Sequence, residues 1–374
     1  MSTVDVVVAD GTGAEGSSVQ TAVDRALARL RWNDYSLHTE QEDLRDTVRR
    51  FLGRACPAET VRAAEPGGFD PELWRRAAEA GIVGIGLAEE AGGQGGGVVE
   101  IVLVAAEIGR ALAPVPLVEH MVASRLLAAL GREPDDTIVS LAPLSDERPG
   151  AQLVPGGAVA RRVAAWVGDD LVLWSRSAPP QQAANDGAAP LAWWHPGDGR
   201  VEVLATGDRA RALWTTAVGE YRVATASALA GLASGAVAHA RDYAIQRQAF
   251  GGPIARFQAI SHTLVDATMA VATAENLVHR AAWYVQHEPA ERPELPAFAL
   301  SNAAAVAQRV CARSVHVHGG FGLTLEADIS LYHRRAAAWS FPGGGPRTLR
   351  AAAAPALDRL LTRLDRTDSA GGTR

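Results

Sequence analysis

Near the start of the chain, apolar residues recur every three or four positions, which is the spacing of one buried face of an α-helix. The first such helix follows a TEQE pattern and has its apolar face at Leu44, Val48, Phe51 and Leu52. This pattern predicts a capping box in which Thr39 is the N-cap and Glu42 reaches back to it. Further helices are predicted from the Asp70–Pro71 pair, over residues 98–112 and in the segment PVPLVEHMVASRLLAAL. Residues 36–136 are therefore expected to form a helical domain.

The pattern changes between residues 137 and 217. Short runs of β-branched and aromatic residues alternate there with Gly, Pro and Asp, as expected for short strands. These runs are TIVSLAP, RVAAWVG, DLVLWSR, LAWWH and RVEVLA. Tryptophans are concentrated in this part of the chain, and their rings are expected to fill a compact core. The sequence therefore predicts a small β domain over residues 137–217.

From residue 218 the helical spacing returns in longer segments. One helix has its apolar face at Phe257, Ile260, Leu264, Ala267, Val271, Ala274 and Val278. Another is predicted over residues 297–317, ending at the Gly319–Gly320 pair. Because these segments are rich in Ala, their helices can pack closely, which predicts a C-terminal helical bundle over residues 218–365. Residues 1–35 and 366–374 are expected to be a flexible extension and a tail.

Composition excludes several classes of function. Apolar residues make up 48% of the 374 positions, which is enough for a substantial core. The net charge of -6 argues against nucleic acid as the main partner, since phosphate binding needs clustered positive charge. Only two cysteines occur, Cys56 and Cys311, so neither a disulfide framework nor a zinc site is expected. With no signal peptide or membrane-spanning run evident, we expect a soluble, cytoplasmic protein.

The stretch RQAFGGPIARFQAISH, residues 247–262, carries unusual chemistry for a connection between two helices. Arg247 presents a guanidinium fork that suits a phosphate or carboxylate, and adjacent glycines let the chain turn sharply. Phe250 offers a flat apolar surface, and Gln258 offers both a donor and an acceptor. The simpler interpretation is a plain helix connection in which Arg247 pairs with a surface acid.

A second candidate segment is VHVHGGFGLTLEADISLYHRRA, residues 315–336. A helix that ends in His-Gly-Gly leaves the backbone of Gly319 and Gly320 uncovered, so a pyrophosphate could approach it closely. The simpler interpretation is a glycine stop followed by a loop. His316 and His318 are two residues apart and do not share a helix face, so no metal site is predicted.

Taken together, these segments resemble the acyl-CoA dehydrogenase family of flavoproteins over residues 36–362. The resemblance rests on five collinear stretches: TEQEDLRDTVRRFL, GIVGIGLAEEAGGQGGG, EIGRALAPVPLVEH, RDYAIQRQAFGGPIARFQAISH and VHVHGGFGLTLEADISLYHRR. It implies a mainly α fold with a small β domain. The implied order is an N-terminal helical domain, a central β domain and a C-terminal four-helix bundle, in agreement with the hydrophobic pattern.

The resemblance also implies a cofactor and partners. Arg247, Phe250 and Gln258 correspond to family residues that contact the FAD of a neighbouring subunit, and the backbone of Gly319 and Gly320 helps to hold the same cofactor. The protein is therefore expected to be an oligomer, either of itself or with a related dehydrogenase subunit. Acyl-CoA or a carrier-bound acyl thioester is the implied substrate, with an electron acceptor protein as a further partner.

The chain departs from the family where the catalytic base is concerned. The commonest base is a Glu in a loop after the Arg-Arg segment, and an ungapped count places Gly343 at that position. At a second known base position the chain has Tyr221, preceded by Glu220. Glu220 and Tyr221 are therefore the candidate catalytic residues. The family's flavin-ring motif in the β domain is reduced to the stretch SDERPG, residues 145–150.

Three hypotheses about function remain. In the first, the chain is a working dehydrogenase that oxidises an acyl thioester with Glu220 or another acid as base. In the second, it is the base-less partner subunit of a heteromeric dehydrogenase and lends Arg247 and its glycine turn to a companion's FAD. In the third, it is a flavin-dependent enzyme repurposed for a biosynthetic pathway, acting on a carrier-bound or non-thioester substrate.

Overall fold

The computed structural model describes residues 35–132, 137–146, 150–197 and 199–339, with further described positions at 341, 344–345, 349–355, 358–359 and 362. Residues Leu37–Arg374 form one compact unit. Nearly all of the predicted extension, the whole of the predicted tail and position Gly343 lie outside the described residues.

The N-terminal part is helical, as the spacing predicts. Its helices are α1 Thr39–Ala55, α2 Ala58–Ala63, α3 Pro71–Glu79, α4 Val98–Ala111 and α5 Leu117–Ala128. Asp70 caps α3 as expected, since its carboxylate accepts from the backbone N–H groups of Glu72 and Leu73 at 2.9 and 3.1 Å.

The predicted capping box of α1 is wrong by one residue. The N-cap is His38, and its backbone N–H donates to Oε1 of Gln41 at 3.1 Å. Thr39 is already helical, so the residue that reaches back is Gln41 and Glu42 lies one position too far along. The TEQE pattern thus locates the start of the helix but assigns the cap to the wrong side chains.

The central part forms the predicted small sheets. The strands are β1 Val139–Leu141, β2 Gln152–Val154, β3 Arg162–Val167, β4 Asp170–Ser175, β5 Ala192–Trp194 and β6 Arg200–Thr206. The larger sheet has the order β1-β3-β4-β6, with β1 parallel to β3 and the other neighbours antiparallel, while β2 pairs with β5. Trp174 and Trp194 are buried in the core, whereas Trp193 points outward because side chains alternate along β5.

The C-terminal helices are α6 Gly207–Gln246, α7 Gln258–His287, α8 Leu295–His318 and α9 Ile329–Ala338. The change from strand to helix therefore comes at Gly207, earlier than the predicted change at residues 217–218. The sequence directly after β6 gives only a weak helical pattern, because its buried face consists of Ala210, Trp214 and Ala217 alone. Gly207, with a φ of 62°, turns the chain directly from strand into helix.

Helix α6 is the central element of the bundle, with 40 residues. Among the described residues it alone has the length and apolar composition of a membrane-crossing helix, yet 78% of its most apolar window is buried inside the protein. It packs against α4, α7 and α8, which are the contacts of a core helix.

Two glycines let α4 and α6 approach each other at backbone contact. A Cβ on Gly109 of α4 would collide with the carbonyl oxygen of Ala228, and a Cβ on Gly231 of α6 would collide with that of Ala106. Ser227 adds a hydrogen bond across the same crossing, from its hydroxyl to the carbonyl oxygen of Val102. The crossing therefore fixes where α6 lies in the bundle.

Gly231→Ala is expected to lower the free energy of unfolding by about 1–3 kcal/mol, because the added methyl group forces apart two packed backbones. The control is Gly53→Ala, at an exposed helical position with open space around the new Cβ. That change should raise the free energy of unfolding by about 0.5–1 kcal/mol, since Ala is the better helix former. Both are measured by urea unfolding. A neutral or stabilising effect at Gly231 would contradict the close crossing.

Candidate functional site

The connection between α6 and α7 folds into a small hairpin, here called the arm, residues 247–258. Strand β7, Gln248–Ala249, pairs with β8, Gly252–Pro253. The two turn residues both have positive φ, 50° for Phe250 and 81° for Gly251, as a tight two-residue hairpin turn requires. Of the two adjacent glycines noted in the sequence, Gly251 thus forms this turn and Gly252 begins β8.

Phe250 lies at the tip of the arm in an unusual state. Its side chain is 89% exposed, and a bulky residue rarely adopts a positive φ. Arg256 holds the turn by donating to the carbonyl oxygens of Phe250 and Gly251, and the rings of Phe250 and Phe257 meet edge to face at 6.1 Å. A strained, exposed aromatic ring held in place by its neighbours is typical of a contact surface.

The structure brings Arg247, Gly319 and Gly320 together in one open cleft of about 590 Å³. It does not bring the other two predicted cofactor residues into this cleft. Phe250 is at the tip of the arm, and Gln258 is exposed at the first turn of α7. The predicted set therefore divides into a cleft and an adjoining exposed arm.

The cleft fits the phosphate end of a dinucleotide. Arg247 is exposed, and no described carboxylate lies within ion-pair distance of it, so the simpler interpretation of Arg247 as a surface ion pair has no partner there. Gly319 has a φ of 64°, and the space where Gly319 and Gly320 would carry a Cβ is open. A free guanidinium beside bare backbone is suited to a pyrophosphate.

An aromatic wall completes the cleft, and sequence reasoning missed it. The ring of Tyr243 stacks on His318 with centroids 4.3 Å apart and on Phe321 with centroids 6.4 Å apart. Burial lowers the pKa of His318, and the neighbouring His239 lowers it further, although the hydrogen bond to the carbonyl oxygen of Ser314 opposes this. One signal was available for Tyr243, because it lies four residues before Arg247, one helical turn away on the same face.

Two described residues of the SDERPG stretch, Ser145 and Asp146, have partners elsewhere in the chain. Ser145 Oγ accepts from the backbone N–H of Trp166 at 2.7 Å. The guanidinium of Arg211 lies 3.8 Å from the centre of the Trp166 indole ring and pairs with Asp146 at 3.8 Å. The described residues therefore fit FAD at its pyrophosphate end, whereas Ser145 and Asp146, the side chains of the SDERPG stretch that the structure describes, are already paired.

A second candidate site is a partly open cavity of about 80 Å³ beside the middle of α6. Its walls are mostly apolar and come from α4, α5, α6, α9 and the loops beside them. Its titratable side chains are Glu119 of α5, Tyr221 of α6 and Arg335 of α9. The cavity thus contains one of the two predicted catalytic residues, Tyr221, and a carboxyl group that sequence reasoning missed.

Glu220, the other predicted catalytic residue, does not line this cavity. Its buried carboxylate accepts two hydrogen bonds from Arg125, from Nε at 3.1 Å and from Nη2 at 3.2 Å. Arg125 also donates to the carbonyl oxygen of Gly86. Glu220 therefore joins α6 to α5 and the loop after α3, as part of a buried ion pair.

Tyr221 is a poor proton acceptor. Burial raises the pKa of its hydroxyl well above the usual value, and the negative charge of Glu119 raises it further. Its side chain is almost completely buried. At neutral pH, the Tyr221 hydroxyl stays protonated, so it can donate or accept a hydrogen bond but cannot remove a proton from a substrate.

Glu119 is surrounded by protein but keeps some accessible surface, and that surface faces the cavity. Burial raises the pKa of its carboxyl group to about 7, and a hydrogen bond from its own backbone N–H acts in the opposite direction. No described side chain forms an ion pair with it, in contrast to Glu220. No sequence motif identifies Glu119 as functional. A single Glu in the first turn of an apolar helix is also expected simply because it stabilises the helix dipole.

The sequence matches known proteins over both helical parts. Residues 38–134 match the family described as "Acyl-CoA dehydrogenase, N-terminal domain", and residues 211–357 match "Acyl-CoA dehydrogenase, C-terminal domain". The chain is similar to acyl-CoA dehydrogenase IpdE2 of Mycolicibacterium smegmatis. The two are 31% identical over 303 residues, which cover 79% of this chain and 92% of the relative.

Solved structures give the same result. The chain superposes on one from the ChsE4–ChsE5 complex of Mycobacterium tuberculosis with a TM-score of 0.76 and 25% identity, covering 89% of this chain and 99% of that one. It superposes on butyryl-CoA dehydrogenase from Megasphaera elsdenii with a TM-score of 0.76 and 21% identity, covering 87% and 99%. The second likeness shows a shared fold.

The raised pKa of Glu119 makes stability depend on pH. The folded protein binds this proton more tightly than an exposed carboxyl group with a pKa of 4.5, so the stabilising contribution is complete below about pH 4.5 and is lost as pH rises through about 7. Relative to Glu119→Gln, the parent should lose on the order of 3 kcal/mol over this range. Urea unfolding at several pH values measures this difference, with the exposed Glu90→Gln as control. A pH-independent difference would contradict the buried, unpaired carboxyl group.

Proposed function

Because this chain belongs to the acyl-CoA dehydrogenase family, we propose that it is a subunit of a FAD-dependent enzyme that oxidises an acyl thioester between its α- and β-carbons. The cofactor of the family is FAD. Bound FAD supplies the oxidant, because its flavin ring accepts the hydride that leaves the β-carbon. The residues of this chain contribute binding, positioning and exclusion of water.

The separation of the two candidate sites along α6 is the observation that carries the proposal. Tyr221 and Arg247 are 26 residues apart on one helix, which corresponds to about 39 Å at 1.5 Å per residue. A single dinucleotide with its ring at the cavity of this chain does not reach Arg247 of the same chain. The arm and the Gly319–Gly320 turn are therefore proposed to bind the FAD of a neighbouring chain.

Exposed apolar side chains beside the arm support this arrangement. Ile245 of α6 and Val265 and Met269 of α7 are each more than half exposed, and they line an open groove of about 590 Å³. A second copy related by two-fold symmetry would cover this face and would receive the arm while offering its own.

A related chain is the second candidate for the neighbour. The proposal of a base-less subunit in a heteromer is favoured by the buried ion pair of Glu220 and the raised pKa of Tyr221, which leave neither predicted residue free to take a proton. The solved ChsE4–ChsE5 complex contains two different chains. We further propose a cytoplasmic location, a separate electron acceptor protein and the three-part division predicted from the sequence.

The first expected outcome concerns assembly. The FAD-containing protein should sediment as a dimer or a larger species, alone or with a related chain. Met269→Glu should weaken the assembly, since it places a charge on the proposed interface, whereas Val203→Glu, at an exposed position on β6, should not. Sedimentation velocity measures both. A stable monomer that retains FAD would rule out the shared cofactor.

The second outcome concerns cofactor retention. Arg247→Ala should weaken FAD binding about 10- to 150-fold, because a charge-assisted hydrogen bond contributes about 1.5–3 kcal/mol. Arg54→Ala, at an exposed position on α1, is the matched control. Flavin absorbance after dialysis against limiting FAD gives the result. Equal retention in both variants would support the interpretation of the arm as a plain connection.

A further inference from the structure

Two charged groups in the wall of the apolar cavity lack full partners. Glu119 has no ion pair with any described residue, and Nη2 of Arg335 is buried without a hydrogen-bond partner, although Nη1 of Arg335 binds Glu65 at 2.9 Å. Around them the wall is apolar: Ile108, Leu112, Val115, Pro116 and Leu191. Unpartnered polar groups are rare inside proteins. The presence of both Glu119 and Arg335 in the wall of one cavity therefore indicates that a polar ligand supplies their missing hydrogen bonds.

The position of Glu119 relative to Tyr221 suggests what it does. In the sequence, Tyr221 stands where some members of the family carry their catalytic carboxylate. Glu119 faces the same cavity from the first turn of α5, close enough for its charge to act on the Tyr221 hydroxyl. The carboxyl group that is missing from α6 is thus present on the neighbouring helix.

We propose that Glu119 is the proton acceptor of this chain and removes the α-proton of an acyl thioester bound in the apolar cavity. This rests on the proposed dehydrogenase function. The Cα–H bond breaks and its proton goes to a carboxylate oxygen of Glu119. The electron pair left on the α-carbon forms the new Cα=Cβ bond as the β-hydrogen departs with its pair to the flavin, so the acyl group is oxidised and FAD is reduced.

The electrostatic setting of the cavity suits a base. A carboxyl group with a pKa of about 7 is partly ionised at neutral pH and binds a proton more strongly than an exposed Glu does. The other titratable groups on the cavity wall are Tyr221 and Arg335, and Arg335 is held by Glu65. Neither neutralises Glu119 as Arg125 neutralises Glu220.

The size of the cavity selects the probe. The cavity has a volume of about 80 Å³ and a mostly apolar wall, which suit a short acyl chain. Butyryl-CoA is therefore the substrate for the test.

The experiment follows α-proton exchange separately from oxidation. The purified FAD-containing assembly is incubated with butyryl-CoA in D₂O without an electron acceptor, and deuterium at the α-carbon is measured by mass spectrometry. Glu119→Gln should lower the exchange rate about 100-fold or more, the range of general-base catalysis, with flavin content unchanged. Glu119→Asp keeps a carboxylate and should retain part of the rate. Glu90→Gln, an exposed carboxyl group, should match the parent.

Two readouts separate the base from a merely structural role. In the parent, the exchange rate should rise with pH and level off above about 7. Infrared difference spectra of the protein alone should show a carboxylic acid that titrates in the same range and is absent from Glu119→Gln. Exchange by a folded Glu119→Gln variant within about threefold of the parent rate would overturn the proposal, as would the absence of that infrared signal.

The test also distinguishes this proposal from the proposed function. If the assembly holds FAD and loses it in Arg247→Ala, while Glu119→Gln exchanges at the parental rate, only the role of Glu119 fails. If FAD binds neither to this protein nor to its assembly with a related chain, the dehydrogenase function fails and the role of Glu119 fails with it.

Discussion

The close crossing of α4 and α6 is the constraint on which the rest of the structure depends. Gly109 and Gly231 allow the two backbones to touch, so α6 lies at the centre of the bundle with most of its length buried. Because the helix is rigid, its two ends are held at a fixed separation. Tyr221 is thereby directed into the apolar cavity beside the middle of the helix, and Arg247 is placed at the surface after its last residue.

The two carboxyl groups between α5 and α6 show how partners decide chemistry. Glu220 is buried with a bidentate arginine, which compensates its charge and fixes its direction. Glu119 faces an apolar cavity with no such partner, and burial therefore raises its pKa. Residue type alone would treat them alike, yet Glu220 is part of a buried ion pair and Glu119 has a raised pKa, which is why we propose it as the base.

Much of this could be read from the sequence, and the failures have physical causes. The family resemblance and the helical spacing predicted the mainly α fold with its small β domain, because both depend on many residues at once. The meeting of Arg247 with Gly319 and Gly320 was implied only by the resemblance, since these residues are about 70 positions apart in the chain. The start of α6 was predicted too late in the chain, because only a few buried residues directly after β6 show the helical spacing.

Glu119 was missed for a different reason. Its importance comes from the loops and helices that close the cavity around it, and no spacing rule relates it to Tyr221, about 100 residues later. The Tyr243 stack was within reach of a spacing argument, because it shares a helix face with Arg247. What the sequence could not supply was the orientation of His318 and Phe321 against that ring.

The length of α6 has a consequence for how such a protein can diverge. The cavity beside its middle and the cleft at its C-terminal end share no side chain, so a substitution in the cavity leaves the cleft intact, and the reverse also holds. After gene duplication, one copy could lose the catalytic residues of its cavity and still bind the FAD of the other copy through its arm. The other copy could lose its arm and keep its catalytic cavity. A single long helix with separable ends thus allows an obligate pair of specialised subunits to arise from one ancestral homodimer by ordinary drift.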